Sequence, residues 1–177
     1  MDKKALRALV RRKRSELSRA ELLRRSEALA QIFLQSDVYR RASTLYAYLS
    51  ISGEVSTAPI LRQARLDGKT VAVPRVTDGE LRFIRLEEDT PIAPGYRGIP
   101  EPVGGEEIRE PNALVLTPGV AFTPGGGRMG YGGGFYDRFF ALEPGHPRVA
   151  LCFGFQIFPS LPTEPHDITV DQVIWDY

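Results

Sequence analysis

Pro118-Gly119-Val120-Ala121-Phe122-Thr123-Pro124-Gly125-Gly126-Gly127-Arg128-Met129-Gly130-Tyr131-Gly132-Gly133-Gly134-Phe135-Tyr136-Asp137-Arg138-Phe139-Phe140 carries eight of the 17 glycines in a chain of 177 residues. Glycine lets backbone N–H groups approach an anion with no Cβ in the way, and it tolerates positive φ. Ala113-Leu114-Val115-Leu116, just before the run, reads as a buried strand. Residues 135–142, just after it, have helical spacing with Phe135, Phe139 and Leu142 on one face. Strand, glycine loop and helix in that order place phosphates over a helix N-terminus, where backbone donors and the macrodipole favour negative charge. The segment is therefore a candidate phosphate-binding loop for a nucleotide.

Upstream, Ala5, Leu6, Leu9, Val10 and Leu17 follow helical spacing, with most basic residues on the opposite side. Ser18-Arg19-Ala20-Glu21 fits a capping box that opens a second helix with Leu22, Leu29, Ile32 and Phe33 on its apolar face. Residues 44–49 read as a strand, followed by the loop Ser50-Ile51-Ser52-Gly53-Glu54. Ser56 and Pro59 suit the start of a helix that reaches about Leu66 and is ended by Gly68. Residues 70–74 and 81–86 read as two more strands. Residues 90–111, with five prolines and four glycines, read as a long loop packed against the body. Residues 149–153 and 170–175 supply the last apolar segments. This alternation predicts one α/β domain over residues 1–177: three α/β/α layers, a mostly parallel central sheet and a Rossmann-like open topology. Ligands of such sheets sit beyond the carboxyl ends of the strands, where the loops at 49–54 and 117–128 emerge.

The net charge is only +1, yet residues 1–25 hold ten Lys and Arg against three acids, which leaves −6 on the remainder. A basic first helix on an acidic body suits nucleic acid, a polyphosphate or the body itself. An Arg-rich amphipathic start also resembles a transit peptide, against which stand Asp2 and Glu16. No apolar run reaches the roughly 20 residues of a membrane helix, and no secretory h-region is visible, so the cytoplasm is the expected compartment. The single cysteine, Cys152, lies in an apolar run and reads as a buried hydrophobe. His146, in Pro144-Gly145-His146-Pro147, reads as an exposed turn residue, and His166 as a group that orients Asp167. That leaves no pattern for a zinc site or a Cys/His nucleophile.

No G-x-x-x-x-G-K-[ST] is present. Residues 125–130 fit the letters G-x-G-x-x-G, but they follow the fourth or fifth strand rather than the first, which argues against dinucleotide binding.

Residues 128–139 closely resemble the R-L-G-x-G-x-G-Y-Y-D-R-F segment of 5-formyltetrahydrofolate cyclo-ligase, also called methenyltetrahydrofolate synthetase. Lys3-Lys4-Ala5-Leu6-Arg7 resembles the K-x-x-L-R of that family. Leu49-Ser50 through Gly53-Glu54-Val55-Ser56-Thr57 resembles its strand-loop, and Gln156, Pro162, His166-Asp167 and Val170-Asp171 resemble its tail. The resemblance implies ATP-dependent closure of 5-formyltetrahydrofolate to 5,10-methenyltetrahydrofolate, with ATP as co-substrate and Mg²⁺ as cofactor. It further implies a small-molecule substrate, no nucleic acid, no membrane and no obligate protein partner.

By the same resemblance, Lys3, Lys4, Ala5, Leu6 and Arg7, with Arg128, Met129, Gly130, Tyr131, Gly132, Gly133, Gly134, Phe135 and Tyr136, form the nucleotide site. Lys3, Arg7 and Arg128 act on the transferring phosphoryl group. Lys3 and Arg7 stand one helical turn apart and can face the same phosphate; Arg11 and Arg12 are both candidates to assist. Leu49, Glu54, Tyr131 and Phe135 match substrate positions, although Phe135 also fits a core position. Asp137 and Asp167 match metal positions, with Asp171 as the substitute for Asp167 and with Asp137 equally suited to a helix N-terminus. The chain departs from the family pattern at Phe135 for tyrosine, Met129 for leucine, Thr123 for aspartate and Gly133 for a residue with a side chain. Two rival readings are a relative that binds ligand without turnover, and a nucleic-acid-binding protein using the basic helix. The intact charged positions oppose the first, and the acidic body opposes the second.

Overall fold

The computed structural model describes residues 1–51 and 53–177. Its centre is a six-stranded sheet of β1 (Thr44–Ala47), β2 (Thr70–Thr77), β3 (Glu80–Arg85), β6 (Leu114–Leu116), β9 (Arg148–Cys152) and β10 (Gln172–Trp175). The order across the sheet is β10-β9-β6-β1-β2-β3. Counting only these strands, that is the 3-2-1-4-5-6 order of doubly wound folds. All neighbours are parallel except β3, which turns back on β2 through Asp78-Gly79, both at positive φ (53° and 76°). Such a two-residue turn matches the twist of an antiparallel pair.

Every residue of β1 and β6 is buried, as strands covered on both faces require. Alternate residues divide between the faces. Leu45, Ala47, Val71, Val73, Leu114, Leu116, Val149 and Leu151 pack under the helices α2 (Arg19–Leu34), α3 (Asp37–Arg41) and α4 (Ala58–Leu66). Tyr46, Ala72 and Val115 face the other way, onto Phe139 and Phe140 of α5 (Phe135–Leu142). The three-layer expectation holds.

Some local expectations fail for identifiable reasons. Leu142, 74% exposed, ends an eight-residue helix whose inward positions are Phe139 and Phe140. Ile32 is 52% exposed, because Ser26, Leu29, Ala30 and Phe33 make the buried stripe of α2. The short α3 went unread. His146 is 3% exposed rather than exposed: Nδ1 donates to the Ala113 carbonyl oxygen at 2.8 Å, and the ring stacks 5.2 Å from that of Phe139. Residues 90–111 are not simply a loop. They contain a small antiparallel hairpin, β4 (Ile92–Pro94) and β5 (Pro100–Pro102), fixed to β2 where Glu101 Oε2 accepts from the Val76 amide at 3.0 Å.

The first helix, α1 (Lys3–Glu16), is capped by Asp2, whose side chain accepts from the Ala5 amide. It buries Leu6 and Val10 against Val120, Ala121 and Met129 rather than against the main sheet. Those partners belong to the glycine-rich segment, which itself contains a hairpin of β7 (Ala121–Phe122) and β8 (Arg128–Met129). The basic helix is thereby docked on the glycine loop by apolar packing.

Candidate active site

The sheet order reverses between β1 and β6, so the segments leaving their carboxyl ends diverge and open a crevice. A cavity of about 670 Å³ lies there. One part of its wall comes from Lys3, Arg7 and Arg11 of α1, residues 128–137, and Glu164, His166 and Asp167. Another comes from Tyr48, Leu49, Ile51 and Glu54 after β1, from Pro74, Val76 and Leu81, and from the β4–β5 hairpin through Tyr96, Arg97 and Ile99. The cavity thus has a cationic, glycine-lined region and an aromatic and aliphatic one.

The glycine loop rises from β8 and ends at Gly134, the residue that caps α5 in a left-handed conformation (φ 69°). A side chain there would be strained, and glycine is not. The first amides of α5 have no intrahelical partner, and Gly134, Phe135, Tyr136 and Asp137 line the cavity. Arg7 donates from Nε and Nη2 to the Gly130 carbonyl oxygen, both at 3.2 Å, and so joins α1 to the loop.

Arg128 is 8% exposed. Its Nε donates to the Pro118 carbonyl oxygen at 2.8 Å, and Nη1 lies 3.4 Å from Asp137 Oδ1. Burial works against the charge of the guanidinium, and Asp137 opposite it offsets part of that cost. Asp137 Oδ1 also accepts from the Ile168 amide at 3.0 Å, which ties α5 to the segment carrying Asp167. Asp137 therefore serves the loop structurally whatever else it holds.

Lys3 Nζ lies 3.1 Å from Glu164 and 3.4 Å from Asp167. Burial opposes its charge, but the two carboxylates outweigh it and hold its pKa above the usual value. Glu164, His166 and Asp167 place ligand atoms within 4.8 Å of one another. Glu164 was not read from the sequence, because a glutamate in a proline-rich tail carries no local signal.

On the other flank Glu54 is 7% exposed. Its Oε2 accepts from the Ile51 amide at 2.8 Å and Oε1 from the Tyr131 hydroxyl at 2.6 Å. Burial pushes its pKa up, while Tyr131, Ile51 and the nearby Arg14 pull it back. Phe135 belongs to the cavity wall rather than the core, and its ring meets that of Tyr96 edge-on at 5.0 Å. Leu49, Met129 and Tyr136 line the cavity as well.

Several sequence candidates fall elsewhere. Lys4 and Ala5 are exposed away from the cavity, and Leu6 is buried under the β7–β8 hairpin. Of the two assisting cations, Arg11 lines the cavity while Arg12 points out toward Glu16. Asp171 accepts from the Arg148 amide at the amino ends of β9 and β10, opposite the edge that carries the crevice. His166 is exposed, with Nε2 3.1 Å from Glu164 and 3.7 Å from Asp167. Cys152 is buried, and burial pushes its thiol up to about 12, far from a nucleophile's range. Gln156 accepts from the Phe153 amide and donates to the carbonyl oxygens of Gly119 and Val120, so it braces the corner before the glycine hairpin.

Comparison with known proteins points the same way. The profile of the 5-formyltetrahydrofolate cyclo-ligase family matches residues 1–176. A Caenorhabditis elegans protein named probable 5-formyltetrahydrofolate cyclo-ligase is 30% identical over 98% of this chain and 92% of its own. The 5-formyltetrahydrofolate cyclo-ligase of Haemophilus influenzae is 30% identical over 96% and 95%. The solution structure of Aquifex aeolicus 5,10-methenyltetrahydrofolate synthetase superposes with a TM-score of 0.86 at 32% identity, covering 99% of this chain and 90% of that one.

Proposed function

The chain belongs to the 5-formyltetrahydrofolate cyclo-ligase family of enzymes, and we propose that it closes 5-formyltetrahydrofolate to 5,10-methenyltetrahydrofolate using ATP and Mg²⁺, with release of ADP and phosphate. In this reading the formyl oxygen is phosphorylated, N10 of the folate attacks the formyl carbon, and phosphate departs. A formamide is a poor electrophile with a poor leaving group, and ATP supplies the phosphoryl group that changes both.

The residues fit such a nucleotide. The observation that carries the reading is the docking of α1 on the glycine loop through Arg7 and Gly130. It brings cations from the start of the chain to the glycine loop, 123 positions on at Gly130, around one cavity. Residues 132–136 would hold the phosphates through main-chain amides, with Lys3, Arg7 and Arg128 neutralising charge as it shifts toward the leaving group. Among the described residues, Asp137 and Asp167 each keep one carboxylate oxygen without a hydrogen-bond donor and would hold Mg²⁺, which takes few carboxylates and keeps waters and phosphate oxygens. Glu164 is a third oxygen donor within reach, whereas His166 suits a hard cation less.

The folate would lie along the aromatic side. Phe135 and Tyr96 offer ring faces and edges to the flat parts of the substrate, and Glu54 offers an acceptor to its N–H groups. Leu49 and Tyr131 complete that wall. Holding N10 beside the formyl carbon is a positioning task, which rigid packing on strand ends suits. No helix among the described residues is long and apolar enough to cross a membrane, in keeping with the cytoplasmic location we propose.

Purified protein mixed with 5-formyltetrahydrofolate and Mg·ATP tests the reading. Methenyltetrahydrofolate should appear by its near-ultraviolet absorbance only when both substrates are present. Tight folate or nucleotide binding without product would favour a non-catalytic relative, and no response to either ligand would refute the proposal.

A further inference from the structure

Glu54 is held by a chain of donors that begins on α1. Tyr131 gives its one hydroxyl proton to Glu54 Oε1 at 2.6 Å, and its oxygen in turn accepts from Arg14 Nη1 at 2.7 Å. Arg14 also donates from Nη2 to the Gly119 carbonyl oxygen at 3.1 Å. Its aliphatic stem fills the space beside Gly53, where a Cβ would stand 2.7 Å from Arg14 Cβ. One arginine of α1 therefore meets the turn bearing Glu54, the corner before the β7–β8 hairpin, and the glycine loop. Among the described residues its own Nε is buried and finds no partner, an arrangement that costs stability unless something is gained.

We propose that Arg14 is a positioning residue of the active site: acting through Tyr131, it keeps Glu54 ionised and fixed on the cavity wall to accept hydrogen bonds from the N–H groups of a reduced pterin. This rests on the folate reading above and deepens it. Arg14 does not touch the carboxylate. It orients the phenol so that its proton goes to Glu54, and it places a positive charge two hydrogen bonds away from the carboxylate. The groups that face Glu54 are Arg14 from α1, Tyr48 at the end of β1, Tyr131 in the loop and Tyr136 from α5. Among the described residues Arg14 is the cation that acts on Glu54, and burial already favours the protonated acid. Without Arg14, Glu54 should take up a proton at higher pH and lose its grip on the substrate's donors.

Arg14→Met keeps the stem beside Gly53 and removes the guanidinium, while Arg14→Lys returns a charge. Calorimetric binding of 5-formyltetrahydrofolate without nucleotide, from pH 5 to 8, reads the effect directly. Arg14→Met should weaken binding about tenfold at pH 7, as expected for losing support of a charged hydrogen bond. The loss of affinity on acidification should begin at higher pH, the KM for Mg·ATP should stay at the parental value, and Arg14→Lys should recover part of both changes. In a Tyr131→Phe background Arg14→Met should have little further effect, because the relay is already cut. Parental affinity and parental pH dependence in Arg14→Met would overturn the inference, as would an equal and additive loss in the two backgrounds. If the parent binds folate but makes no methenyl product, the proposed reaction fails while the relay stands or falls on these binding curves. If the parent does not bind folate, both fall.

Discussion

Arg7 and Gly130 are 123 positions apart, yet two nitrogens of the Arg7 guanidinium reach the Gly130 carbonyl oxygen at 3.2 Å each. The bonds fix the register of α1 against the glycine loop, and the same cation lines the cavity. A fork of N–H donors is used here on one oxygen, which a lysine's point charge reproduces only in part. Arg7→Ala is expected to raise the KM for Mg·ATP about tenfold or more, with Arg7→Lys intermediate and the folate KM much less changed. Steady-state kinetics with each substrate varied checks this.

Arg128 joins the proposed chemical role to a structural one. Its removal takes away a buried cation beside the proposed phosphoryl site, for which a loss of about 100-fold or more in kcat is the expected scale. It also leaves Asp137 without its partner in a confined place, and breaking such a pair destabilises. Arg128→Ala should therefore lower both kcat and the melting temperature. Arg128→Lys should recover much of the stability and little of the turnover. Thermal denaturation beside kinetics separates the two.

Asp137 and Asp167 approach the cavity from α5 and from the tail, joined through the Ile168 amide. Chelation of divalent ions should abolish turnover, and Mg²⁺ should restore it. Asp137→Asn and Asp167→Asn should each raise the half-saturating Mg²⁺ concentration about tenfold. Asp171→Asn, at the far end of the sheet, should leave that concentration unchanged. A Mg²⁺ titration of initial rates distinguishes these outcomes.

Arg25 and Asp176 join α2 to the end of the chain, with Arg25 Nη2 donating to Asp176 Oδ1 at 2.8 Å and the Gly154 amide donating to the same oxygen. Burial alone would raise the carboxyl's pKa, but Arg25 and Gly154 outweigh it and hold the pKa below the usual value. A carboxylate so depressed adds stability above its unfolded pKa, about 4, and loses it as pH falls through the folded value. Asp176→Asn should cost on the order of 1 kcal/mol at pH 7, and the difference from the parent should vanish at the most acidic pH the fold tolerates. Denaturant unfolding across pH measures it.

Much of this was legible in the sequence because the signals are local and dense. Eight glycines between a strand and a helix carry one meaning wherever the chain places them. The apolar runs 44–49, 70–74 and 113–116 announce strands of a sheet covered on both faces. The β4–β5 hairpin escaped notice because its three-residue strands are too short to show alternation and begin or end in proline, which suits an edge. His146 looked exposed because Pro-Gly-His-Pro spells a turn; the turn is folded under Tyr46 and Phe139, which no local pattern reveals. Arg14 could have been found. Helical spacing sets Lys3, Arg7, Arg11 and Arg14 along one side of α1 and turns Arg12 away from it, a stripe hidden by the abundance of basic residues around it. Glu164 could not, since its nearness to Lys3 and Asp167 is a product of the tail's path alone.

We propose that the first helix and the glycine loop together grip a nucleotide's triphosphate. A crystal structure with Mg²⁺ and a non-hydrolysable ATP analogue tests it most directly. Phosphate oxygens should lie within hydrogen-bonding distance of the amides of residues 132–136, flanked by Lys3, Arg7 and Arg128, with the metal on Asp137 and Asp167. A nucleotide seated away from these residues, or a triphosphate touching only one of the two segments, would contradict it.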